Sequence, residues 1–238
     1  LSLHDALPIF MANVARMQAS AERLGVKLRP HLKTLKSAQA AEVLIAAGAR
    51  GITVSTLREA GYFLDHGITD ITYAVGMVPA RLDVAADLVA RGADLKIMTD
   101  CVDVAQAIGR RAGQDGPRFK LLIEIDCGDH RGGLQADSDE LLQIAALIAN
   151  SAAVLEGVLT HAGHSYGVDS SAAVAAIATQ ERDAVVTAAE RLRAAGHRVD
   201  TVSVGSTPTA LFARDLSGVT EMRAGVYTVF DMDQQSRG

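Results

Sequence analysis

A cationic segment at residues 29–36, RPHLKTLK, contains the side chains best suited to chemistry. Its central Lys33 follows a short apolar run and precedes a helical pattern, which predicts that it lies where a strand ends. Arg29, His31 and Lys36 lie within four residues of it. Neighbouring positive charges and partial burial lower the pKa of an amine, which can then form a Schiff base. A solvated loop lysine is the other interpretation, and the segment alone leaves both open.

Polar residues also gather at the ends of the other predicted strands. Four of the seven histidines lie at the predicted strand ends, namely His31, His130, His161 and His164. Unrelated histidines spread over the protein surface would explain this clustering poorly. In an alternating strand–helix barrel, the carboxyl ends of the strands form the rim on which the active site lies. The other strand-end candidates are Thr53, Ser55, Tyr73, Gly76, Asp126, Cys127, Asp129, Arg131, Thr160, Tyr166, Gly205, Ser206, Thr207, Thr209, Arg223, Gly225 and Tyr227.

The segment GSTPT at 205–209 follows an apolar run and opens a short helical pattern. Free backbone N–H groups and small hydroxyls at a helix start suit a phosphate, and the late strands of a barrel often hold one. In the alternative interpretation, Ser206 or Thr207 only caps the helix. A lysine able to form an imine and a phosphate site on the same rim together indicate pyridoxal 5′-phosphate.

The pair His161 and His164 has a spacing that a metal site can use, although an imidazole packed near the cofactor ring is the favoured interpretation. Arg131 and Arg223 each leave a predicted strand beside glycine, and either is a scaffold ion pair or a site residue. Arg223 is the better candidate to face the cofactor ring, because Gly225 lets the backbone approach a phosphate closely.

Strand and helix patterns alternate eight times with short connections, which predicts a parallel sheet. Eight repeats in about 200 residues favour a closed (β/α)8 barrel over an open doubly wound sheet. No GxGxxG or GxxxxGK[ST] motif follows the first strand, which weakens the nucleotide-binding alternatives. Thr56, Asp100 and the pair Asp137-Ser138 are the expected N-caps of three helices. The predicted strands are 26–32, 51–54, 70–75, 94–98, 119–126, 154–159, 199–204 and 221–223, and the predicted helices are 10–24, 37–47, 56–67, 79–91, 101–112, 137–150, 171–195 and 208–214.

The composition argues against several classes of protein. A net charge of −5 and a pI near 5.8 argue against a nucleic-acid-binding surface. No run approaches the roughly 18 unbroken apolar residues of a membrane span, and the first residues lack the basic start of a signal peptide. Cys101 and Cys127 form no CxxC pair, so a reduced cytoplasmic protein is predicted.

The two ends of the chain differ in character from the barrel pattern. Residues 1–9, LSLHDALPI, precede the first methionine and are interpreted as a non-native leader. Residues 10–228 form the predicted barrel, and residues 229–238 are interpreted as the start of a truncated second domain. On this interpretation the chain is a fragment. Loss of a second domain would expose apolar barrel surface and lower the solubility of the protein.

Five ordered motifs between about residues 13 and 234 resemble those of one enzyme family. The chain is similar to the D-threonine aldolase / D-serine dehydratase family of fold-type III pyridoxal-phosphate enzymes, relatives of the alanine racemase N-terminal domain. The resemblance implies a (β/α)8 TIM barrel of the alanine racemase N-terminal type, with the family's C-terminal β-domain missing. The motifs are RPHLKT at 29–34, EIDCGDHRGG at 124–133, THAGHSY at 160–166, GSTPT at 205–209 and RAGVY at 223–227.

The same resemblance implies roles for individual residues. Lys33 would carry the cofactor as a Schiff base and, once freed, would act as a base. The catalytic residues would be Lys33, His31 and His161. The cofactor-binding residues would be Lys33, Arg131, Tyr166, Gly205, Ser206, Thr207, Arg223, Gly225 and Val226, with the two glycine-containing segments at the phosphate.

Several functions stay open within this resemblance. A lyase would cleave a β-hydroxy-D-amino acid by a retro-aldol reaction or remove its β-hydroxyl as water. A racemase would need a second acid–base group, typically a tyrosine from the missing domain. A single-domain homeostasis protein would bind the cofactor without catalysis. A plain structural or sugar-phosphate barrel would leave the setting of Lys33 unexplained.

The resemblance also implies partners. The substrate would be a small-molecule D-amino acid, and the full-length protein would form a homodimer. A divalent metal, Mn or Zn, would be held by ligands of the C-terminal domain, so no metal ligand is expected in this chain. Neither a nucleic acid nor a membrane is expected as a partner.

Overall fold

A computed structural model describes residues 3–113 and 118–229 of the chain. Within these residues, eight parallel strands alternate with helices, as the sequence patterns predict. The strands are β1 (Lys27–Leu28), β2 (Ile52–Val54), β3 (Asp70–Gly76), β4 (Asp94–Thr99), β5 (Lys120–Ile125), β6 (Val154–Thr160), β7 (Thr201–Val204) and β8 (Glu221–Met222). The helices are α1 (Leu3–Arg23), α2 (Ala38–Ala46), α3 (Leu57–Asp65), α4 (Leu82–Ala90), α5 (Val102–Ala112), α6 (Asp139–Ala149), α7 (Ser171–Ala194) and α8 (Thr207–Phe212), with 3-10 turns at Pro79–Arg81, Gly163–Gly167 and Val226–Thr228.

The strands form one sheet in the order β1-β8-β7-β6-β5-β4-β3-β2, so strands adjacent in sequence are adjacent in space. A parallel bridge between His31 and Thr53 joins the two outer strands. Two backbone hydrogen bonds reinforce this join, because the Leu32 N–H donates to the Thr53 carbonyl and the Thr53 N–H to the Pro30 carbonyl, each over 2.8 Å. The sheet therefore closes into a (β/α)8 barrel, which confirms the predicted fold.

Side-chain caps fix the starts of several helices. Thr56 accepts a hydrogen bond from the N–H three residues later, and Ser138 from the N–H two residues later, as predicted. The prediction for Asp100 is wrong, because Cys101 holds the N-cap position of α5 without a side-chain bond. Asp100 instead accepts the Gly133 N–H over 2.8 Å. The carboxylate is thus used to hold the loop after β5 rather than the helix.

Helix α1 is longer than its sequence pattern predicts. It begins at Leu3, inside the segment 1–9 that was not expected to join the fold. Its predicted inward face is confirmed, because Val14, Met17 and Ala21 are buried in the main core. The apolar spacing therefore identifies the buried face of the helix but not its first turn.

The division of the chain into leader, barrel and second domain stays a prediction. Helix α1 runs through the boundary placed after residue 9 without a break. Residues 230–238, which make up most of the expected start of the second domain, lie outside the described residues.

The barrel wall is built from apolar strands. In β5, Leu121, Leu122 and Ile123 are consecutive and fully buried, which is the pattern of a parallel strand covered on both faces. Helix α6 packs Ile144 and Ile148 into the same core. Among the described helices, none is both long enough and apolar enough to cross a membrane. The wall gives the strand ends a rigid frame on which a site can be built.

Candidate active site

A cavity of about 380 Å³ opens at the carboxyl ends of the strands. Its volume lies in the range of small-molecule sites in proteins. Its wall combines apolar residues of β3, β4 and β6 with charged groups from the loops that follow other strands. It brings together six residues that were predicted as catalytic or cofactor-binding, namely His31, Lys33, Arg131, His161, Gly205 and Arg223.

Lys33 lies in the turn that follows β1 and lines the cavity. The residue as a whole is exposed, while its amine is partly buried. This burial lowers the pKa of the Lys33 amine, and the positive charge of Arg131 lowers it further. A lowered pKa leaves more of the amine unprotonated near neutral pH, so it can attack a carbonyl carbon.

The charges around Lys33 differ from those inferred along the sequence. Arg29 forms its ion pairs near the amino-terminal end of the barrel. Lys36 is exposed and pairs with Glu59 over 3.1 Å. The guanidinium of Arg131, in the loop after β5, supplies the positive charge that affects Lys33. Proximity along the chain failed here because the chain turns at residues 32–35, so Lys33 and Lys36 do not continue the direction of the strand that holds Arg29.

Two imidazoles of the cavity are held neutral. Burial, and after it the charge of Lys33, lowers the pKa of His31 to about 3. Burial, and after it the charge of Arg131, lowers the pKa of His161 to about 3. The Nδ1 of His161 contacts the carbonyl of Gly205, which requires that this nitrogen donates. The Nε2 of His161 is then an acceptor.

Acid pH should weaken the fold through these two histidines. Each has a pKa of about 3 in the folded protein against 6.5 in an open chain, so the unfolded state binds more protons between these values. The stability that the two neutral histidines contribute is fully present above pH 6.5 and is lost as the pH falls toward 3. The free energy of unfolding falls by no more than about 1.4 kcal/mol per pH unit for each histidine. The free energy of unfolding, measured with urea at neutral pH and at about pH 5, should change less with pH in His31→Asn and in His161→Asn than in the wild type.

The control for this prediction is His66→Asn, because His66 is exposed. It shows how much the replacement of an exposed histidine by asparagine changes the free energy of unfolding at each pH. If the free energy of unfolding changes equally with pH in the wild type and in the His31 and His161 variants, these rings take up protons in the folded protein as well, and the prediction is wrong.

Arg223 lies beneath the cavity, where it is 6% exposed. Its guanidinium donates to the Ser203 hydroxyl and to the Thr160 carbonyl. A Cβ on Gly205 would lie 3.1 Å from this side chain, so glycine lets the loop after β7 approach it. Arg223 therefore ties the ends of β6, β7 and β8 together and presents a positive charge to the cavity.

The start of α8 contains one hydroxyl that caps the helix and one that does not. Ser206 accepts the Thr209 N–H over 3.1 Å and lies 2.9 Å from the Ser165 hydroxyl, so it acts as a cap. Thr207 donates its N–H to the Tyr166 hydroxyl over 3.3 Å. The buried Thr207 hydroxyl has no hydrogen-bond partner among the described residues. A buried polar atom without a partner indicates a ligand or a water molecule.

A second backbone segment beside the cavity comes from the chain after β8. Gly225 is buried and precedes the 3-10 turn Val226–Thr228. A Cβ on Gly225 would lie 2.6 Å from the carbonyl oxygen of His31, so a larger residue would push the two segments apart. The first N–H groups of a helical turn lack partners within the turn, which suits them to an anion.

The loop after β5 is organised by Asp126. Its Oδ1 accepts two backbone N–H groups of the loop, over 2.8 and 3.1 Å, and its Oδ2 lies 2.7 Å from Nδ1 of His130. His130 has a φ of 52°, so the loop turns sharply at this residue. The turn places the next residue, Arg131, in the cavity wall.

The two histidines of the segment 160–166 do not converge on one point. His161 contacts Gly205, whereas Nδ1 of His164 lies 3.8 Å from an oxygen of Asp129. Across residues 3–113 and 118–229, no group of three or more His, Cys, Asp or Glu side chains is arranged to hold a metal ion.

Other predicted residues lie away from the cavity surface. Thr53 is fully buried in β2, and Tyr227 is buried in the core. Tyr166, Ser206, Thr207, Gly225 and Val226 lie in or next to the short helical turns beside the cavity and are not part of its lining. Their roles toward a cofactor stay predictions.

Two carboxylates of the site were not predicted from the sequence. Glu124 in β5 lines the cavity, and burial, followed by the charge of Asp100, raises its pKa. Glu181 in α7 accepts backbone N–H groups from the loops after β6 and β7. Each interrupts an apolar pattern, since Glu124 lies in the run KLLIEI and Glu181 lies between the inward-facing Val174 and Val185. A charge inside an apolar pattern is the signal that finds such residues.

The fold agrees with what comparisons with known proteins find. The family model "Alanine racemase, N-terminal domain" matches residues 7–233. The chain is 52% identical over 227 residues to D-threo-3-hydroxyaspartate dehydratase of Delftia sp. (strain HT23), an alignment that covers 95% of this chain and 60% of that protein. The solved structure of the Delftia sp. HT23 enzyme has a TM-score of 0.96 at 51% identity, covering 98% of this chain and 62% of the other.

More distant relatives carry related names. The chain is 31% identical over 243 residues to D-serine dehydratase of Dictyostelium discoideum, covering 95% of this chain and 61% of that protein. It is 33% identical over 230 residues to D-threonine aldolase of Arthrobacter sp, covering 94% and 59%. The chain thus spans about 60% of the length of the curated relatives it matches. It belongs to the alanine racemase N-terminal domain family, which confirms the resemblance carried by its motifs.

Proposed function

We propose that the protein is a pyridoxal 5′-phosphate-dependent lyase that acts on β-hydroxy-D-amino acids. The observation that carries the proposal is Lys33, whose amine has a lowered pKa and lies in a cavity with Arg131 and His161. A lysine that attacks a carbonyl is the attachment point that this cofactor needs. The names of the relatives support the substrate class, because they include two dehydratases and one aldolase of D-amino acids.

The residues present suit this cofactor at two places. The Lys33 amine suits its aldehyde. The buried Thr207 hydroxyl, which has no partner among the described residues, suits its phosphate. Gly205 and Gly225 lack the Cβ that would lie 3.1 Å from the Arg223 side chain and 2.6 Å from the carbonyl oxygen of His31. The two segments that the resemblance assigns to the phosphate therefore pack closely against residues of the cavity wall.

In this proposal the protein's residues position the reactants and handle protons. When bound, pyridoxal phosphate supplies a ring that withdraws electrons from a bond at the substrate's Cα. Lys33 supplies an unprotonated amine for attachment and later accepts a proton at Nζ. Arg131, exposed at the cavity wall, binds the substrate carboxylate. His161 stays neutral at physiological pH and offers Nε2 as an acceptor.

The charge of the cavity favours an acidic substrate. Arg131 and Arg223 contribute positive charge, while both lining histidines are neutral. Glu124 is the carboxylate that lines the cavity, and burial, followed by the charge of Asp100, raises its pKa. The two guanidinium groups would attract a cofactor phosphate and the carboxylates of a dicarboxylic amino acid. We therefore place D-threo-3-hydroxyaspartate, the substrate named for the 52% identical relative, before D-serine and D-threonine.

The proposal is tested by mixing the protein with pyridoxal phosphate and assaying three substrates, with and without Mn²⁺ or Zn²⁺. We expect a new visible absorption band and turnover of D-threo-3-hydroxyaspartate that exceeds turnover of D-serine and D-threonine by about tenfold or more. Formation of a 2-oxo acid would identify a dehydratase, and formation of glycine an aldolase. Interconversion of D- and L-amino acids without cleavage would instead establish a racemase. A folded protein that shows no new band would refute the cofactor assignment.

We also propose a metal, an assembly state and a location for the protein. The family resemblance suggests a divalent metal, Mn or Zn, and a homodimer. The net charge of −5 supports a protein without nucleic-acid partners. Together with the cysteine pattern, these features suit a cytoplasmic enzyme that acts on small molecules.

A further inference from the structure

Glu181 is a buried carboxylate that the fold does not require. It lies in the middle of α7 and is 1% exposed. Other inward positions of that helix, such as Ala178 and Val185, are apolar. Burying a carboxylate is costly, and an apolar residue of similar size would pack there at lower cost. A specific task is therefore expected for this side chain.

One oxygen of Glu181 joins two loops of the site. Its Oε1 accepts the Ala162 N–H over 3.0 Å and the Gly205 N–H over 2.9 Å. Ala162 lies after β6 and Gly205 after β7, and both lie beyond the paired residues of these strands. The carboxylate thus provides the acceptor that a neighbouring strand would otherwise provide. It fixes the separation of the two strand ends where the sheet no longer does.

The groups that face the proposed cofactor are carried by these two loops. His161 directly precedes Ala162, and its Nδ1 contacts the Gly205 carbonyl. Thr207, whose buried hydroxyl has no partner among the described residues, follows Gly205 by two positions. A shift of either loop would therefore move the imidazole relative to the hydroxyl. Glu181 acts on both groups without touching either.

The reach of Glu181 matters more here than its charge. Both of its backbone partners are uncharged N–H groups, which the oxygen of an amide side chain also accepts. Burial raises the pKa of the Glu181 carboxyl group. Arg223 is close enough to interact electrostatically, but its guanidinium already donates to other groups. We call the two hydrogen bonds from the Ala162 and Gly205 N–H groups to Glu181 the clamp. A glutamine at this position would keep the clamp, whereas a shorter carboxylate would lose it.

We propose that Glu181 is a positioning residue of the cofactor site. It holds the loops after β6 and β7 at one separation and so sets the distance between His161 and the phosphate-binding start of α8. This inference rests on the proposed function for its consequence in cofactor binding. The clamp itself is a property of the protein without cofactor.

Two variants separate the reach of Glu181 from its charge. Glu181→Asp keeps the charge and shortens the side chain by one methylene, and Glu181→Gln keeps the length and removes the charge. Val185→Ala is the matched control, because Val185 is fully buried one turn further along α7 and contributes to the core. Ala162→Pro removes one of the two donors from the other side of the clamp, at a φ of −90° that is close to proline's own.

Two measurements are made on each variant. The first is amide hydrogen exchange without cofactor at Ala162 and Gly205, or at Gly205 alone in Ala162→Pro, and the second is the dissociation constant for pyridoxal phosphate. In Glu181→Asp we expect faster exchange at both amides and about tenfold weaker cofactor binding, because both N–H groups lose a full-length partner. Ala162→Pro should also weaken cofactor binding. Glu181→Gln should stay within about threefold of the wild type in both measurements.

Each contrary outcome has a definite meaning. If Val185→Ala weakens cofactor binding as much as Glu181→Asp at an equal loss of Tm, Glu181 is a packing residue and the proposal is wrong. If Glu181→Gln is as weak as Glu181→Asp, the charge matters and the clamp explanation fails. If the wild type binds no cofactor, the proposed function fails, while the exchange rates at Ala162 and Gly205 still decide whether the clamp exists.

Discussion

Lys33→Ala should abolish covalent attachment of pyridoxal phosphate, whereas Lys36→Ala should leave it intact. The two lysines are three residues apart, but Lys33 lines the cavity and Lys36 does not, and burial lowers the pKa of the Lys33 amine. Lys36 is exposed, and its amine forms an ion pair with Glu59 over 3.1 Å, so it lacks the site in which a cofactor would be held. Borohydride reduction followed by mass measurement should find about one cofactor per chain in the wild type and in Lys36→Ala, and none in Lys33→Ala.

The same pair of variants decides between specific and adventitious attachment. Free pyridoxal phosphate reacts slowly with any unprotonated surface lysine, so a low level of labelling at other sites is a background that both variants share. Labelling of Lys33→Ala at the wild-type level would show that another lysine is the attachment point. Lys33→Ala changes an exposed residue, so its Tm should match that of the wild type. If its Tm is much lower, the loss of labelling reports unfolding of the variant rather than loss of the attachment point.

The barrel follows from the sequence because its signals are local. Strand runs such as LLI in β5 and helix spacings such as Val14, Met17 and Ala21 each reflect burial within a few residues. Their number and alternation then leave few possible topologies. Ends are less certain, since β1 was expected over 26–32 but is a regular strand only at Lys27–Leu28. The N–H groups of Arg29 and His31 still donate to the carbonyls of Met222 and Ala224, and His31 also forms a bridge with Thr53, so the segment lies between two neighbours that are adjacent to it only in three dimensions.

The candidate site follows from the sequence only in part. His31, Lys33, His161 and Arg223 reach one cavity because each lies at the carboxyl end of a strand, and topology brings such ends together. The direction of a side chain does not follow from its place in the chain. Arg29 lies four residues from Lys33 and takes its partners from the opposite end of the barrel. That difference is the basis of a second large effect.

Arg29→Met should destabilise the fold by about 3 to 5 kcal/mol, although the residue is adjacent to the site in sequence. The Arg29 side chain is 6% exposed, and its Nε lies 2.8 Å from an equally buried carboxylate oxygen of Glu221. Its Nη1 and Nη2 donate to both oxygens of Asp70 over 2.6 and 3.2 Å. These two acids begin β8 and β3, so a single guanidinium joins strands on either side of the closure of the barrel. Methionine would fill the space and remove the ion-pair partner of the buried Glu221 carboxylate, which would keep the Ser203 hydroxyl as a donor.

Urea unfolding of Arg29→Met beside two other variants tests this explanation. Arg91→Ala breaks exposed ion pairs to Asp65 and Asp87 and should cost less than about 1 kcal/mol. The double variant Arg29→Met/Glu221→Gln removes the unpaired charge as well, so it should recover part of the stability that Arg29→Met loses. If the double variant is no more stable than Arg29→Met, the loss comes from packing around the side chain. The wall of the barrel would then owe its closure to apolar contacts, and the ion pairs at its amino-terminal end would have little net effect on stability.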